Sequence, residues 1–208
     1  MYQTPFQVIT LASSGITSVT ELAGHRVSVG PAGGTPGTYW PRFMATLGVD
    51  ATVSNAGAAD AASQLKDGLI DAFAFAAGVP ISAFSQLAAE ADVRMFGFTD
   101  AELATLLAAH PEVAPLNIPA GTYAGVDYDQ HSVSMWNFAI ANESMPESLA
   151  YEIVKMVMEN HDRMVQIHGA AAETTMDNVL NNGFMPFHPG AVRYYEEHGI
   201  TIPANLRG

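Results

Sequence analysis

Apolar residues in this chain fall into short unbroken runs that alternate with stretches where they recur every three or four positions, the pattern of strands alternating with helices. Phe6-Gln7-Val8-Ile9-Thr10-Leu11-Ala12 is a run of strand length, and Arg26-Val27-Ser28-Val29 is a second. Between them Ser18-Val19-Thr20-Glu21 has the spacing of a capping box and predicts a short helix stopped by Gly24. Tyr39, Phe43 and Leu47 share one helical face that ends at Gly48. A short strand over Ala51–Val53, a helix over Ala58–Asp67 and a buried parallel strand over Leu69–Ala77 follow. A helix over Ile81–Glu90 and a strand over Val93–Phe98 come next, then a helix opened by the capping box Thr99–Glu102 and stopped before Pro111. Residues 115–128 lack periodicity and read as a loop, and His131–Ile140 as a long strand. Ser144–Glu147 is a third capping box, opening a helix to about Asn160 with Leu149, Ile153 and Val157 on one face; beyond it the pattern stays helical without a clear strand.

The strand-helix alternation predicts an α/β fold with a doubly wound sheet, in which ligands bind beyond the carboxyl ends of the strands. The stretch Val27–Thr38 is the leading candidate for such a site, since it runs from a strand through Gly33, Gly34 and Gly37 into a helix. Amide groups at a helix start lack intrahelical partners and carry the positive end of the helix dipole, so a turn without side chains lets an anion approach them. Pro41, tolerated in a first helical turn, places the start near Gly37 or Thr38 and makes Thr35 and Thr38 the nearest hydroxyls. The spacing matches neither the dinucleotide fingerprint nor a phosphate loop ending in lysine, which favours a small carboxylate over a nucleotide. A βα connection that uses glycine only for its geometry accounts for the same turn. A second strand-glycine-helix junction, Ala77-Gly78-Val79-Pro80, is expected on the same sheet edge. The predicted ligand contacts are therefore Gly33, Gly34, Thr35 and Thr38 opposite Ala77, Gly78 and Val79, with Tyr39 and Tyr123 either lining the pocket or belonging to the core.

Charge narrows the partners. Eight Lys and Arg against 21 Asp and Glu give a formal net charge of −13, which disfavours nucleic acid and anionic membrane surfaces. The absence of cysteine excludes disulfides and thiolate chemistry. The seven histidines show no metal-binding spacing, no Gly-x-Ser-x-Gly elbow is present, and Asp71 stands too early in its strand for a catalytic acid. No catalytic residue, metal or cofactor is expected. No apolar run approaches the roughly 20 residues of a membrane span, and the first residues lack the features of a signal peptide.

Four segments, Ile16–Thr35, Leu65–Phe73 with Gly78 and Pro80, Ile118–Tyr123, and His188–Ala191, resemble in content and order the TAXI family of solute receptors for TRAP transporters. The turn departs from the family's usual Gly-Pro-Pro-Gly-Ser-Gly-Thr in having Gly34-Thr35-Pro36 where Ser-Gly-Thr is expected. The resemblance implies a periplasmic binding protein of type II, two α/β lobes joined by crossing strands, delivering a glutamate-like amino acid or small carboxylate to a TRAP membrane permease. Family members are longer at the N-terminus. The chain would then hold one complete lobe at 13–118, with crossing strands and the C-terminal helices of an incomplete second lobe in 1–12 and 119–208. On that reading Leu149, Ile153 and Val157 lack a partner, so the chain either forms a homo-oligomer through the incomplete lobe or repacks its helices, and a one-sided cradle binds its ligand weakly. An enzyme on a similar scaffold and a non-transport interaction module are the competing functions.

Overall fold

β1 (Gln3–Leu11) is buried from Thr4 to Thr10, as expected of a strand covered on both faces. The computed structural model describes residues 2–182 and 185–208, and the chain divides into two units: Thr4–Met135, and Trp136–Gly208 together with the first residues up to Gln3.

The first unit is built on a mixed sheet of order β3-β2-β4-β1-β7-β6, with β5 also paired to β1. Its other strands are β2 (Arg26–Ser28), β3 (Thr52–Ser54), β4 (Ala72–Ala76), β5 (Val93–Phe96), β6 (Ala114–Ile118) and β7 (Gln130–Trp136). β2 pairs parallel with β3 and β4, whereas β1 runs antiparallel to both β4 and β5. Consequently β2, β3, β4 and β5 share one direction and end on one edge. Helices α1 (Thr35–Thr46), α2 (Ala58–Lys66), α3 (Ser82–Glu90) and α4 (Asp100–Ala109) cover the sheet. Alternation along β1 sends Phe6 and Val8 into a core with Trp40, Phe43 and Leu106, and Ile9 into a second core with Leu65, Phe73 and Phe84. The aromatic rings of Phe6 and Phe43 meet edge to face with centroids 4.9 Å apart.

Several local expectations are corrected. α1 begins at Thr35, with Pro36 in its first turn; Pro41 lies inside the helix. The capping-box spacing at Ser18 yields only a 3₁₀ turn, Thr20–Leu22: the Glu21 carboxylate accepts from the Ser18 amide at 3.2 Å, but Val19 takes the N-cap and no side chain caps the turn. Residues 115–118, expected as loop, belong to β6, which pairs with β7; as the last strand in the order it tolerates Pro115. β7 stops at Trp136 rather than Ile140. At Thr99 the capping box forms in full, and Glu102 additionally accepts from the Thr20 amide at 2.7 Å.

Asp71, just ahead of β4, receives a two-pronged grip from Arg26: Nη2 to Oδ1 at 2.6 Å and Nε to Oδ2 at 3.1 Å. The guanidinium hydrogen bond holds the Asp71 carboxyl down at about 2. A carboxyl with a depressed folded-state pKa stabilises the fold fully above its unfolded value, near 4, and loses that contribution as pH falls toward 2. In urea unfolding measured from pH 7 to 2, the native chain is expected to lose about 1–2 kcal/mol more stability than Asp71→Asn, the other lowered carboxyls contributing equally to both.

The second unit contains α5 (Glu147–Glu159), α6 (His161–Ile167) and α7 (Pro189–Glu197). No sheet forms among its described residues, where Phe187 and Arg207 make an isolated bridge; the helical expectation over 183–184 falls outside the described residues. The third predicted capping box is absent: Pro146 occupies the N-cap, and Ser144 Oγ donates to Asn142 instead. α7 is capped by His188, whose Nδ1 accepts from the Gly190 amide at 3.2 Å. Val192, Tyr194, Ile202 and Leu206 form a small core, so these helices cover one another in part. Leu149 stays 49% exposed and Ile153 39%, while Val157 is half-buried. Next to them lies a cavity of about 730 Å³ lined by Trp136, Phe138, Ile153, Met158, Phe187 and Tyr195, among others. An environment-sensitive apolar dye is expected to fluoresce on binding the native chain, and Ile153→Lys to reduce the signal at least several-fold; equal signal from both would place the dye elsewhere.

Candidate functional site

β2 and β4 are neighbouring parallel strands, so the glycine turn after β2 and the Ala77–Pro80 turn after β4 leave the sheet side by side. The two turns are fastened together. A Cβ on Gly30 would lie 2.9 Å from the Phe75 ring, and the Trp40 indole donates to the Phe75 carbonyl at 3.1 Å. Asn55, just past β3, donates to the Gly30 carbonyl at 2.8 Å, so three parallel strand ends converge here.

Within the first turn the Gly34 amide donates to the Pro31 carbonyl at 3.1 Å and the Thr38 amide to the Gly34 carbonyl at 2.9 Å. Gly33 takes a φ of +76°, open to glycine with little strain. Gly37 is required for a different reason: a Cβ there would fall 2.3 Å from the Pro31 carbonyl oxygen. Gly34 is the N-cap of α1 and no side chain caps it. Thr35 and Gly37 therefore present first-turn amides without intrahelical partners, while Pro36 has none to present. The exposed Thr35 and Thr38 stand beside them. The result is a compact cluster of donors with no acidic side chain in the first turn of α1, suited to a carboxylate.

Across from it, α3 starts after Ile81, and the Ser82 and Ala83 amides are its first-turn donors. Gly78 is buried, Ala77 and Val79 are half-buried, and the Val79–Pro80 peptide is cis. The predicted Gly33, Gly34, Thr35 and Thr38 thus share one sheet edge with Ala77, Gly78 and Val79. The two tyrosines are engaged within the fold. Tyr39 is half-buried, packing edge to face on Phe6 at 6.1 Å and lying under the Arg42 guanidinium at 4.7 Å. Tyr123 is 2% exposed, with its hydroxyl accepting from the Ile81 amide at 3.0 Å and donating to Gln7 Oε1 at 2.7 Å. Burial pushes the Tyr123 hydroxyl above the ordinary tyrosine range, so it stays protonated. Asn55 and Gln7 were not predicted. Gln7 carried a signal, being a polar side chain within an otherwise apolar run; Asn55 carried none.

Among the described residues no group of three or more His, Asp or Glu side chains is arranged to hold a metal ion, and no helix is long and apolar enough to cross a membrane.

The family model of the NMT1-like family matches residues 1–199. The chain belongs to the NMT1-like family. Among solved structures, the chain is similar to an ancestral arginine-binding protein bound to glutamine, at 16% identity and TM-score 0.43 over 83% of this chain and 58% of that one. It is also similar to the substrate-binding protein of an amino acid ABC transporter, at 12% identity and TM-score 0.42 over 87% and 61% of the two chains. Substrate-binding domain 2 of Lactococcus lactis GlnP, in its open conformation, matches at 20% identity and TM-score 0.37 over 45% and 38%. The chain spans between 38% and 61% of the length of these three proteins.

Proposed function

We propose that this NMT1-like chain is a solute receptor that holds a small carboxylate or amino acid, glutamate-like in chemistry, at the start of α1 and releases it unchanged. The observation that carries the reading is the side-by-side pair of strand-glycine-helix turns after β2 and β4, which bring unpaired amides of α1 and α3 to one edge with the Thr35 and Thr38 hydroxyls. Such an arrangement binds an anion through backbone donors and needs neither a nucleophile nor a bound cation. Its lack of a paired arginine or lysine points to a modest intrinsic affinity from this unit alone.

The motif order shared with TAXI receptors extends the reading to a TRAP-type membrane permease as the recipient and the periplasm as the compartment. Calorimetry of the purified chain against glutamate, glutamine and small dicarboxylates, beside an assay for their chemical conversion, tests it. Saturable heat without turnover is expected; conversion of any of them would favour the enzyme instead. Thr35→Val is expected to weaken the best ligand by about 1–3 kcal/mol, the loss of one hydrogen bond to a charged group.

A further inference from the structure

Three polar side chains run through the buried face of the sheet beneath the second turn, and the proposed binding of solute makes no direct use of them. The Ile81 amide donates to the Tyr123 hydroxyl at 3.0 Å, the hydroxyl donates to Gln7 Oε1 at 2.7 Å, and Gln7 Nε2 donates to Gln130 Oε1 at 2.9 Å. Tyr123, Gln7 and Gln130 are 2%, 0% and 3% exposed. A carboxamide oxygen only accepts, so the tyrosine proton must point to Gln7 and a hydroxyl lone pair is left for Ile81. The relay has one direction and ends on Gln130 Nε2, which has no partner among the described residues.

Apolar side chains of similar size would fill the same face; the two glutamines instead supply a fixed chain of donors and acceptors that reaches the Tyr123 hydroxyl. What the relay does hold is Ile81. Its carbonyl accepts from the Phe84 and Ser85 amides at 3.0 Å each, its side chain is buried, and its own amide is met by Tyr123. Ile81 is the N-cap of α3 and the first residue after the Ala77–Pro80 turn. We propose that Tyr123 is the positioning residue of this turn: through Ile81 it sets the direction from which Gly78 and the first amides of α3 meet the solute, and Gln7 and Gln130 fix the hydroxyl from β1 and β7. This rests on the reading of the turn as one wall of the solute site.

The test is amide hydrogen exchange by NMR on the full chain, native and Tyr123→Phe, together with an L-glutamate titration of each. Tyr123→Phe is expected to speed exchange at Ile81 at least tenfold while Phe73, in β4, changes less than twofold. Phe84→Leu, which loosens the same core without touching the hydroxyl, is expected to move Ile81 and Phe73 together. Glutamate affinity is expected to fall at least fivefold in Tyr123→Phe. Unchanged protection of Ile81, equal acceleration at Phe73, or native glutamate affinity in Tyr123→Phe would each overturn the proposal. If the native chain shows no response to glutamate, the titration arm fails the solute reading, while the exchange arm still decides whether Tyr123 holds the turn.

Discussion

Gly34→Val is expected to abolish binding of small carboxylates while leaving the melting temperature within a few degrees of the native chain. Gly34 has φ −79° and ψ 164°, a region open to any L-residue, and a Cβ there would sit 3.3 Å from the Pro31 ring and carbonyl, a contact relieved by a small shift. An N-cap side chain projects over the first helical turn, where Thr35 and Gly37 present their amides, so the valine methyl groups would occupy the space an anion needs. Gly37→Ala gives the opposite profile, because its Cβ would overlap the Pro31 carbonyl at 2.3 Å and force the turn apart. That variant is expected to lose about 1–3 kcal/mol of stability together with binding. Calorimetry and thermal unfolding of the two variants side by side separate a blocked cradle from a broken one; native affinity in Gly34→Val would remove the cradle from the account.

Gly190→Val is expected to unfold the C-terminal unit selectively. α7 approaches α5 so closely at this residue that a Cβ would meet the Glu147 carbonyl at 2.1 Å and the Tyr151 amide at 2.8 Å, backbone atoms that cannot turn aside. Overpacking of this kind costs about 1–3 kcal/mol or more, a large share of what a core as small as that around Tyr194 and Ile202 supplies. The two tryptophans make the selectivity measurable, since Trp40 lies in the α/β unit, while Trp136, the last residue of β7, belongs to the helical unit and lines its cavity. In Gly190→Val the urea transition seen by Trp136 in a Trp40→Phe background is expected to shift to lower urea, while that seen by Trp40 in a Trp136→Phe background stays. A joint shift would show that the two units unfold as one.

The sheet was legible because β1 and β4 are largely apolar runs, and the Thr99–Glu102 capping box because its spacing is local. The direction of β1 was not, since burial on both faces is the same whether neighbours run parallel or antiparallel. The start of α1 was misplaced because the chain has two prolines five residues apart: Pro36 fills the first turn, so Pro41 is accommodated half-buried within the helix at the expense of one backbone hydrogen bond. Likewise Pro115 argued for a loop where an edge strand accepts it. For the candidate site, glycine spacing identified the turns, because steric need is written into those residues. The role of Tyr123 could not be read this way: its hydroxyl serves Ile81, 42 residues away, and Gln7, 116 residues away, and no local pattern encodes such pairings.

The central claim, that an anionic solute is held by the first-turn amides of α1 across from the Gly78 turn, is tested most directly by following backbone amides of the ¹⁵N-labelled chain during titration with L-glutamate and, separately, with small dicarboxylates. Saturable shifts are expected at Gly34, Thr35, Gly37, Thr38 and Gly78 for at least one of these ligands, while the amides of Leu116 and Asn117 in β6, at the other end of the strand order from β2 and β3, stay in place. Saturable shifts confined to other residues, or none at these five positions up to millimolar ligand, would contradict it.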